Sequence, residues 1–592
     1  MFCANCGNQV SDDEKFCNQC GWRKPESTGA PAAPVQPEEA PASNATTGAV
    51  PAEKAGTGKK IPKGVLICIV AGILGVVGLL LMLFSSDSVK NWSKKTFSEP
   101  EEYYQWVEGR AAEEAASNAA TIYNDYFREN LQIYDMSVDM EAKIELEEAG
   151  MDMLSLAGMS GVDMSWLESA TVTGNVSIKD NMVSFSMGEA DILSMAGILD
   201  LAEESAYMQI PDLSDMYMSA DDVDGAEEMI EAFEALKVLY EIAPDEKLVE
   251  ELLNKYTAMA LSCVDDVEMS DGSIRAEGVT QKCVELEVTI DEKNMADMME
   301  TVLTALAEDE ELKEWYVEAW TTIEDSDMDM DMAEDMDPEE LYEEWQDLVE
   351  EAADEADSIA DYDMEIVMVV YVDSKGNICG RTLEYEGLTV EMIMSHDGSD
   401  FGYNLSMEAG GESVALTGKG KDNGGKLTGE FAVEYNGMAL VEIAVEKLDT
   451  NKLAKGQLSG TITAAPSSAL VRALDMSDYS SIIGEMSVVI EAECDADSAK
   501  LVCSVLQDEE KWGTITLIAS KDKGEKVKVP SDKNVVEIED EDDFEDWYET
   551  VDWDAYIKKL EKAGVPDEII DAIEDLEDMD AEEFLRALNY MY

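Results

Sequence analysis

The chain has 592 residues, of which 45% are apolar, and it carries a formal net charge of −91. That apolar share is too high for a disordered acidic chain, so the sequence predicts folded cores with a strongly anionic exterior. A field of this sign repels nucleic acid and anionic lipid surfaces and attracts cations and basic partners, which argues against a function in nucleic-acid binding.

Two Cys-x2-Cys pairs, each followed by glycine, lie near the start of the chain. Four thiolates form the closed ligand set of structural zinc, and so short a segment needs a metal or disulfides to fold. Two disulfides or a redox Cys-x-x-Cys are the alternatives. Residues 2–22 resemble the short zinc ribbons that open many bacterial membrane proteins. This resemblance implies a zinc ribbon over residues 1–24, and the predicted ligands of its structural zinc ion are Cys3, Cys6, Cys17 and Cys20.

Residues 25–60 are rich in Pro, Ala, Thr, Ser and Gly and predict a flexible linker. The twenty uncharged residues Val65–Phe84 follow, enough for a helix to cross the ~30 Å hydrocarbon layer of a bilayer. A buried core helix usually keeps a polar face, and the apolar region of a signal peptide is shorter and nearer the start. Residues 61–84 therefore predict one transmembrane helix in the lipid bilayer. Its glycine strip suggests self-association through Gly72, Gly75 and Gly78.

The orientation of this helix is predicted from the cysteines, because lysines flank it equally on both sides. Zinc-bound thiolates are most secure in a reducing compartment. We therefore expect a single-pass protein of the cell membrane, with a cytoplasmic ribbon and an extracytoplasmic body. The first 84 residues hold seven acidic and seven basic residues, so the body carries the whole net charge of −91.

Residues 85–130 predict a juxtamembrane helix that begins at a capping box, Ser98–Glu101, and docks on the first sheet. Residues 131–360 predict an α+β domain, since alternating segments are interrupted by segments with helical spacing. The predicted strands are 137–146, 171–178, 182–187, 206–210, 264–269 and 284–290, and the predicted helices are 226–260, 295–320 and one from Pro338.

The aspartate-rich segment 325–337 invites comparison with a calcium loop. An EF-hand needs Gly at position six and Glu at position twelve, where this segment has Met330 and Met336. A solvated acidic linker is the preferred interpretation, and loose binding of divalent cations is the alternative.

Residues 361–535 predict an antiparallel β-rich domain of roughly ten strands joined by short turns, among them Ser374–Asn377 and Asn436–Gly437. So many consecutive strands must curl or split into layers. Residues 536–592 predict an acidic helical tail. The fold class is therefore α+β, with a curved antiparallel β-sheet packed with helices. The order of elements over residues 131–530 resembles the lipoprotein-carrier class, which implies an unclosed barrel around a helix that holds lipids or other apolar ligands.

The sequence contains no recognisable catalytic constellation. The single histidine, His396, lies in a predicted turn, and a pair of carboxylates is expected by chance among so many acids. The 34 methionines predict core filler rather than copper ligands. The thiols of the body are either free or include a Cys494–Cys503 disulfide; they are Cys263, Cys283, Cys379, Cys494 and Cys503.

The sequence thus predicts a non-enzymatic cell-envelope protein whose acidic extracytoplasmic domain binds a ligand, a wall component or a protein partner. Expected partners are an apolar ligand, an envelope protein or divalent cations, and the only expected cofactor is structural zinc. A wall-active hydrolase with paired carboxylates and a purely structural spacer are the alternatives. A pocket holding two carboxylates ~5–10 Å apart with raised pKa values would favour the hydrolase. An apolar groove would favour the binder.

Overall fold

A computed structural model describes most of the chain after residue 93. The described residues are 94–577 and 579, apart from 97, 149, 151–168, 190–191, 222, 224, 325, 327–336, 357, 360–363, 469, 471–485 and 539–540. The predicted ribbon, linker and transmembrane helix lie outside the described residues, as do most of the acidic segment 325–337 and the end of the tail. Within the described residues, no helix is both long enough and apolar enough to span a membrane.

The described α-helices lie in four parts of the chain, within residues 100–123, 226–356, 450–453 and 541–577. They are α1 (Pro100–Tyr123), α2 (Ala226–Ile242), α3 (Glu246–Ser262), α4 (Glu292–Ala307), α5 (Glu310–Glu324), α6 (Pro338–Ala356), α7 (Thr450–Leu453), α8 (Glu541–Tyr548), α9 (Trp553–Ala563) and α10 (Asp567–Glu577).

The strands fall into an early group that precedes α6 and a later, nearly unbroken group. The early strands are β1 (Met136–Leu146), β2 (Ser169–Lys179), β3 (Met182–Glu189), β4 (Leu193–Asp200), β5 (Ser205–Gln209), β6 (Tyr217–Ala220), β7 (Val267–Ala276) and β8 (Val279–Asp291). The later strands are β9 (Glu365–Val372), β10 (Ile378–Tyr385), β11 (Leu388–Asp397), β12 (Asp400–Ala409), β13 (Glu412–Asp422), β14 (Lys426–Tyr435), β15 (Met438–Asp449), β16 (Ser459–Pro466), β17 (Met486–Cys494), β18 (Ser498–Gln507), β19 (Glu510–Lys523) and β20 (Val535–Glu537).

All of these strands join one large curved sheet. Its order is β20-β6-β5-β4-β3-β2-β1-β19-β18-β17-β16-β15-β14-β13-β12-β11-β10-β9-β8-β7, and only the β20–β6 pair is parallel. The predicted mixture of helices with a large curved sheet is therefore confirmed. The predicted segments 131–360 and 361–535 share this sheet through β1–β19 and β8–β9. The domain boundaries themselves stay predictions.

Helix α1 packs on the sheet and supplies the largest buried side chains of its main core. Tyr103, Tyr104 and Val107 contact apolar residues of strands β7 to β10. The predicted capping box at Ser98 is wrong, because the helix begins one residue later: Glu99 is the N-cap, without a side-chain cap, and Pro100 occupies the first turn. Proline is suited to that place because its missing N–H would have no partner inside the helix.

Smaller cores lie elsewhere in the described residues. Phe401, Leu427 and Val445 form one on strands β12 to β15. In the tail, Leu560 and Ile570 centre another between α9 and α10, which confirms the predicted helical character of these residues.

Several elements differ from the prediction, and strand β20 and the short helix α7 were not among the predicted elements. The predicted helix 226–260 is two helices separated around Pro244, because proline removes a backbone donor and clashes with the preceding turn. The predicted helix 295–320 is also divided, at Asp309. Strands β4 and β6 escaped prediction, since β4 alternates weakly and β6 has four residues.

His396 also differs from its prediction. It lies on strand β11 and not in the turn that follows, because the pairing of β11 with β12 continues to Asp397 and Asp400.

Candidate functional site on the apolar face of the sheet

One side of the sheet is apolar across nearly all of its strands. Successive side chains of a strand point to opposite faces, and residues paired in register share a face. On β1, Ile144 pairs with Ile515 of β19. Ala142 lies two residues before Ile144, so it shares the same face, and it pairs with Val172 of β2. We call this side the apolar face. Its members across the sheet are Met208, Met195, Met187, Val172, Ile144, Ile515, Val505, Val488, Ala464, Val441, Val433, Val414 and Met407.

Large apolar side chains remain exposed at one end of this face. Met187 is 55% exposed, Met407 53% and Ile515 46%, whereas Phe401 at the other end is fully buried. We call the exposed end, where the turns Gly410–Gly411 and Asp508–Glu509 lie, the open end, and the opposite end the closed end. Further exposed members of the face are Met140, Ile144, Val172, Leu193, Met208, Val414, Met438, Val488 and Leu517.

The exposed stripe is long. It extends over the thirteen strands from Met208 on β5 to Met407 on β12. Ten of these strands carry an exposed apolar side chain, and β14, β16 and β18 contribute only partly buried ones. Neighbouring strands lie ~4.8 Å apart, so the stripe runs for about 60 Å along the sheet. Extended exposed apolar surface marks a place where a ligand, a partner or a membrane binds.

The opposite face of the same strands is largely polar. Ser186 precedes Met187, Lys143 precedes Ile144 and Glu408 follows Met407. Across the strands, Asn175 Nδ2 donates to Asp139 Oδ1 at 2.8 Å. Exposed apolar groups are therefore a property of one face, which distinguishes the site from an ordinary solvated surface.

Helix α1 explains why the two ends of the face differ. Its first turns cover strands β7 to β10, and just beyond its end Tyr126 Oη donates to the Gly456 carbonyl oxygen at 3.2 Å. Lys521 Nζ then donates to Asn130 Oδ1 at 3.3 Å. Gly456 and Lys521 both lie at the closed end. The helix and the segment after it therefore lead to the closed end, and the apolar side chains at the open end keep their exposure.

A buried ion pair holds α1 on the sheet. Arg381 of β10 donates to both carboxylate oxygens of Glu108, at 2.5 and 2.7 Å. Burial acts to lower the pKa of Arg381, but the charge and hydrogen bonds of Glu108 outweigh it and raise that pKa. Beside the pair, burial raises the pKa of Tyr104. The raised pKa keeps the Arg381 guanidinium protonated at all ordinary pH values.

The closed end contains a second concavity, a cleft of about 1120 Å³ around His396. His396 Nε2 lies 3.6 Å from Asp422 Oδ2, and Asp422 Oδ1 accepts from the Gly425 backbone at 2.8 Å. Ile378 and Cys379 line the same cleft.

The groups beside His396 are poor nucleophiles. The hydroxyl of Ser395 donates to Val279 O and accepts from Ala276 N, both at 3.2 Å. Burial raises the pKa of Cys379, whose Sγ donates to Tyr371 O at 3.4 Å. A nucleophile–histidine pair needs an activated hydroxyl or thiolate. Neither neighbour meets that need.

Carboxylates with raised pKa values and clusters of metal ligands are two further kinds of candidate site. Burial raises the pKa of Glu114 on α1 to about 7, against a lowering effect of Arg110. In the part of the chain that the structure describes, no cluster of three or more His, Cys, Asp or Glu could hold a metal ion. The four predicted zinc ligands, Cys3, Cys6, Cys17 and Cys20, lie outside that part.

All five cysteines of the body are free. Of the two alternatives, a Cys494–Cys503 disulfide does not form, because register places Cys494 opposite Ala499 and Cys503 opposite Ile490. The two thiols therefore sit on different rungs of the hairpin, and the alternative of free thiols holds.

The positions of three methionines in the sequence are a signal for the exposed stripe. Met187, Met407 and Met438 each lie within three residues of a turn at the open end. Near a turn, an apolar residue has fewer neighbours to bury it. The prediction that the methionines fill the core is wrong for these three, since each is more than half exposed.

Comparison with known proteins bears on one part of the chain. A family model described as a zinc-ribbon domain matches residues 2–21, a range that contains all four predicted zinc ligands. No curated protein and no solved structure matches the chain. The chain therefore carries a zinc-ribbon domain at residues 2–21, in agreement with its cysteine spacing.

Proposed function

We propose that this is a non-enzymatic cell-envelope protein whose body binds the hydrocarbon chain of an amphiphile on the open end of the apolar face. The observation that carries the proposal is the row of exposed apolar side chains there, of which Met187, Met407 and Met438 are more than half exposed. Burial of apolar surface is worth roughly 25 cal/mol per Å², so a chain laid along this stripe gains binding energy that no polar surface supplies.

The chemistry of the stripe favours a flexible hydrocarbon over a rigid ligand. Methionine is unbranched and polarizable, so surfaces rich in methionine adapt to ligands of variable outline. Exposed methionines recur along the stripe from Met208 through Met187 to Met407. The stripe also presents few hydrogen-bonding side chains, which would be needed to orient a sugar or a peptide.

The cellular setting in this proposal comes from the sequence. Residues 61–84 would cross the membrane once, with the zinc ribbon in the cytoplasm and the body outside. The ribbon would hold one structural zinc ion through Cys3, Cys6, Cys17 and Cys20, because four thiolates leave no open coordination position for catalysis.

Photo-crosslinking tests the proposal. The full-length protein in phosphatidylcholine nanodiscs is irradiated with a dodecyl maltoside analogue that carries a diazirine at the end of its chain. We expect labelled peptides from β3 and β19, which contain Met187 and Ile515. A Met187→Glu substitution should lower labelling of β3 at least about fivefold, since it places a charge among apolar groups.

The control is the neighbouring residue. Ser186 is exposed on the opposite face of β3, so Ser186→Glu adds the same charge one position away. This variant should keep the labelling of the parent protein. Labelling confined to peptides outside the open end, or equal loss in both variants, would contradict binding on the apolar face.

A further inference from the structure

The turns that border the open end are rich in acidic side chains. Strand β1 ends at a pair of glutamates, the β12–β13 turn is flanked by two more, and three acidic residues are consecutive in the β18–β19 turn. We call this set the acidic rim. Its members are Glu147, Glu148, Glu386, Glu408, Glu412, Asp508, Glu509 and Glu510, and all of them are exposed.

The rim lies directly beside the exposed apolar groups. Glu408 follows Met407, and Glu412 lies two residues before Val414 on the paired strand. A strand rises ~3.3 Å per residue, so these carboxylates lie within about 7 Å of the stripe along the chain. A ligand whose hydrocarbon chain lies along the stripe at this border has its polar end within reach of these carboxylates.

Lysines are concentrated at the other end of the sheet. Turns and strand ends at the closed end carry Lys179, Lys375, Lys421, Lys426, Lys452, Lys455 and Lys521. Several are paired with carboxylates there, as in the Lys421–Asp400 contact of 2.6 Å. Fewer lysines lie near the open end, among them Lys143, Lys511 and Lys559. Lys143 is paired with Glu145 at 2.7 Å, and Lys559 is paired with Asp212, whose carboxylate also accepts from Ser194 at the start of β4. The acidic character of the rim therefore exceeds that of the sheet as a whole.

On the basis of the proposed function, we infer that the amphiphile bound at the open end carries a cationic head group. A positive head placed at the rim is attracted by several carboxylates at once, whereas an anionic head is repelled by them. Each exposed pair contributes little alone, but several charges of one sign in one place add up. The exposed stripe thus binds the hydrocarbon chain of the amphiphile, and the acidic rim favours a positive charge on its head group.

Three probes with the same hydrocarbon chain and different head groups test this inference. The full-length protein in phosphatidylcholine nanodiscs is irradiated with dodecyl diazirine probes that carry a trimethylammonium, a maltose or a sulfate head. Labelling of β3 and β19 is divided by labelling of the nanodisc scaffold protein, which corrects for partition into the bilayer. We expect the cationic probe to exceed the sulfate probe about tenfold at low salt, and salt at 0.5 M to reduce this ratio.

Matched variants separate the rim from the overall negative charge. One variant replaces Glu147, Glu148, Glu509 and Glu510 by glutamine, and the control replaces four exposed helical glutamates in the same way: Glu300, Glu318, Glu350 and Glu351. Both variants change the net charge equally. The rim variant should lose most of the cationic preference, and the control should keep it.

The outcomes are distinguishable. Equal labelling of the open end by all three probes overturns the inference and leaves the proposed function standing. Absence of labelling by every probe overturns both. An equal loss of preference in the rim variant and the control assigns the effect to the general field of the protein, which also overturns a head-group site at the rim.

Discussion

At the scale of single residues, the ion pair between Glu108 and Arg381 is a contact with a high electrostatic cost. Their side chains are 4% and 11% exposed, so both charges have lost most of their hydration. Such a pair is stable because each charge compensates for the burial of the other. The pair also lies on the apolar face, where it ties α1 to strand β10 and so determines which part of the face stays covered.

We expect Glu108→Gln to lower the free energy of unfolding of the body by about 3–5 kcal/mol, because it leaves the Arg381 guanidinium buried without a counter-charge. Chemical denaturation followed by tryptophan fluorescence measures this loss. The matched control is Asp400→Asn, which breaks the exposed Lys421–Asp400 pair and should cost less than about 1 kcal/mol. Losses of similar size in the two variants would show that the buried pair contributes no more to stability than the exposed pair.

At the scale of secondary-structure elements, Asp309 joins three helices. Its Oδ1 accepts from the backbone of Glu311 and Leu312 at the start of α5, at 3.0 and 3.2 Å. Its Oδ2 accepts from Lys255 Nζ and Tyr256 Oη of α3, at 2.6 and 2.5 Å. Since Asp309 follows the end of α4, one carboxylate caps one helix and positions two others.

This carboxylate should make the stability of the body sensitive to acid. Burial acts to raise its pKa, but the hydrogen bonds from Lys255 and Tyr256 outweigh burial and hold the pKa below the usual 3.8. A lowered pKa in the folded state means that the contribution is present above pH 3.8 and is lost as the pH falls through the folded-state value. Asp309→Asn should therefore cost roughly 2 kcal/mol at pH 7.

Denaturation of the parent protein and Asp309→Asn at several pH values between 7 and 3 tests this expectation. The difference between their free energies of unfolding should shrink only below about pH 4. A difference that stays constant down to pH 3 would mean that the charge of Asp309 contributes nothing and that its packing alone matters.

At the scale of the whole molecule, we expect the zinc-ribbon domain at residues 2–21 and the sheet to obtain their stability from different sources. Zinc ribbons depend on metal for folding, whereas the sheet has cores of its own, such as those around Tyr103 and Phe401. Loss of metal should therefore leave the body intact.

We expect about one zinc ion per chain by elemental analysis of the full-length protein, the number that one set of four thiolates holds. Replacement of Cys3 and Cys6 by serine should abolish this zinc and leave the thermal unfolding of the body unchanged. The matched control is Cys494→Ser with Cys503→Ser, which removes two free thiols of the body and should keep the metal. Zinc retained in the first variant would contradict the predicted ligand set.

The local part of the fold could be predicted because it depends on neighbouring residues. The hairpin turn at Asn436–Gly437 has φ values of 50° and 73°, which Asn and Gly tolerate. These two residue types alone therefore predict the turn. Alternation likewise identified β1 and most strands of the later group. Prediction failed where a short interruption divides a long helical pattern, as at Asp309, because the pattern continues on both sides of it.

The sequence by itself determined the acidic body, the cysteine spacing of the ribbon and the alternation that places apolar side chains on one face of each strand. Each of these follows from residues close together in the chain. Only the tertiary structure decided that β1 pairs with β19, where Met136 lies opposite Lys523, and that α1 leads to the closed end of the face. Which end stays exposed depends on contacts between residues hundreds of positions apart, and no local pattern encodes such contacts.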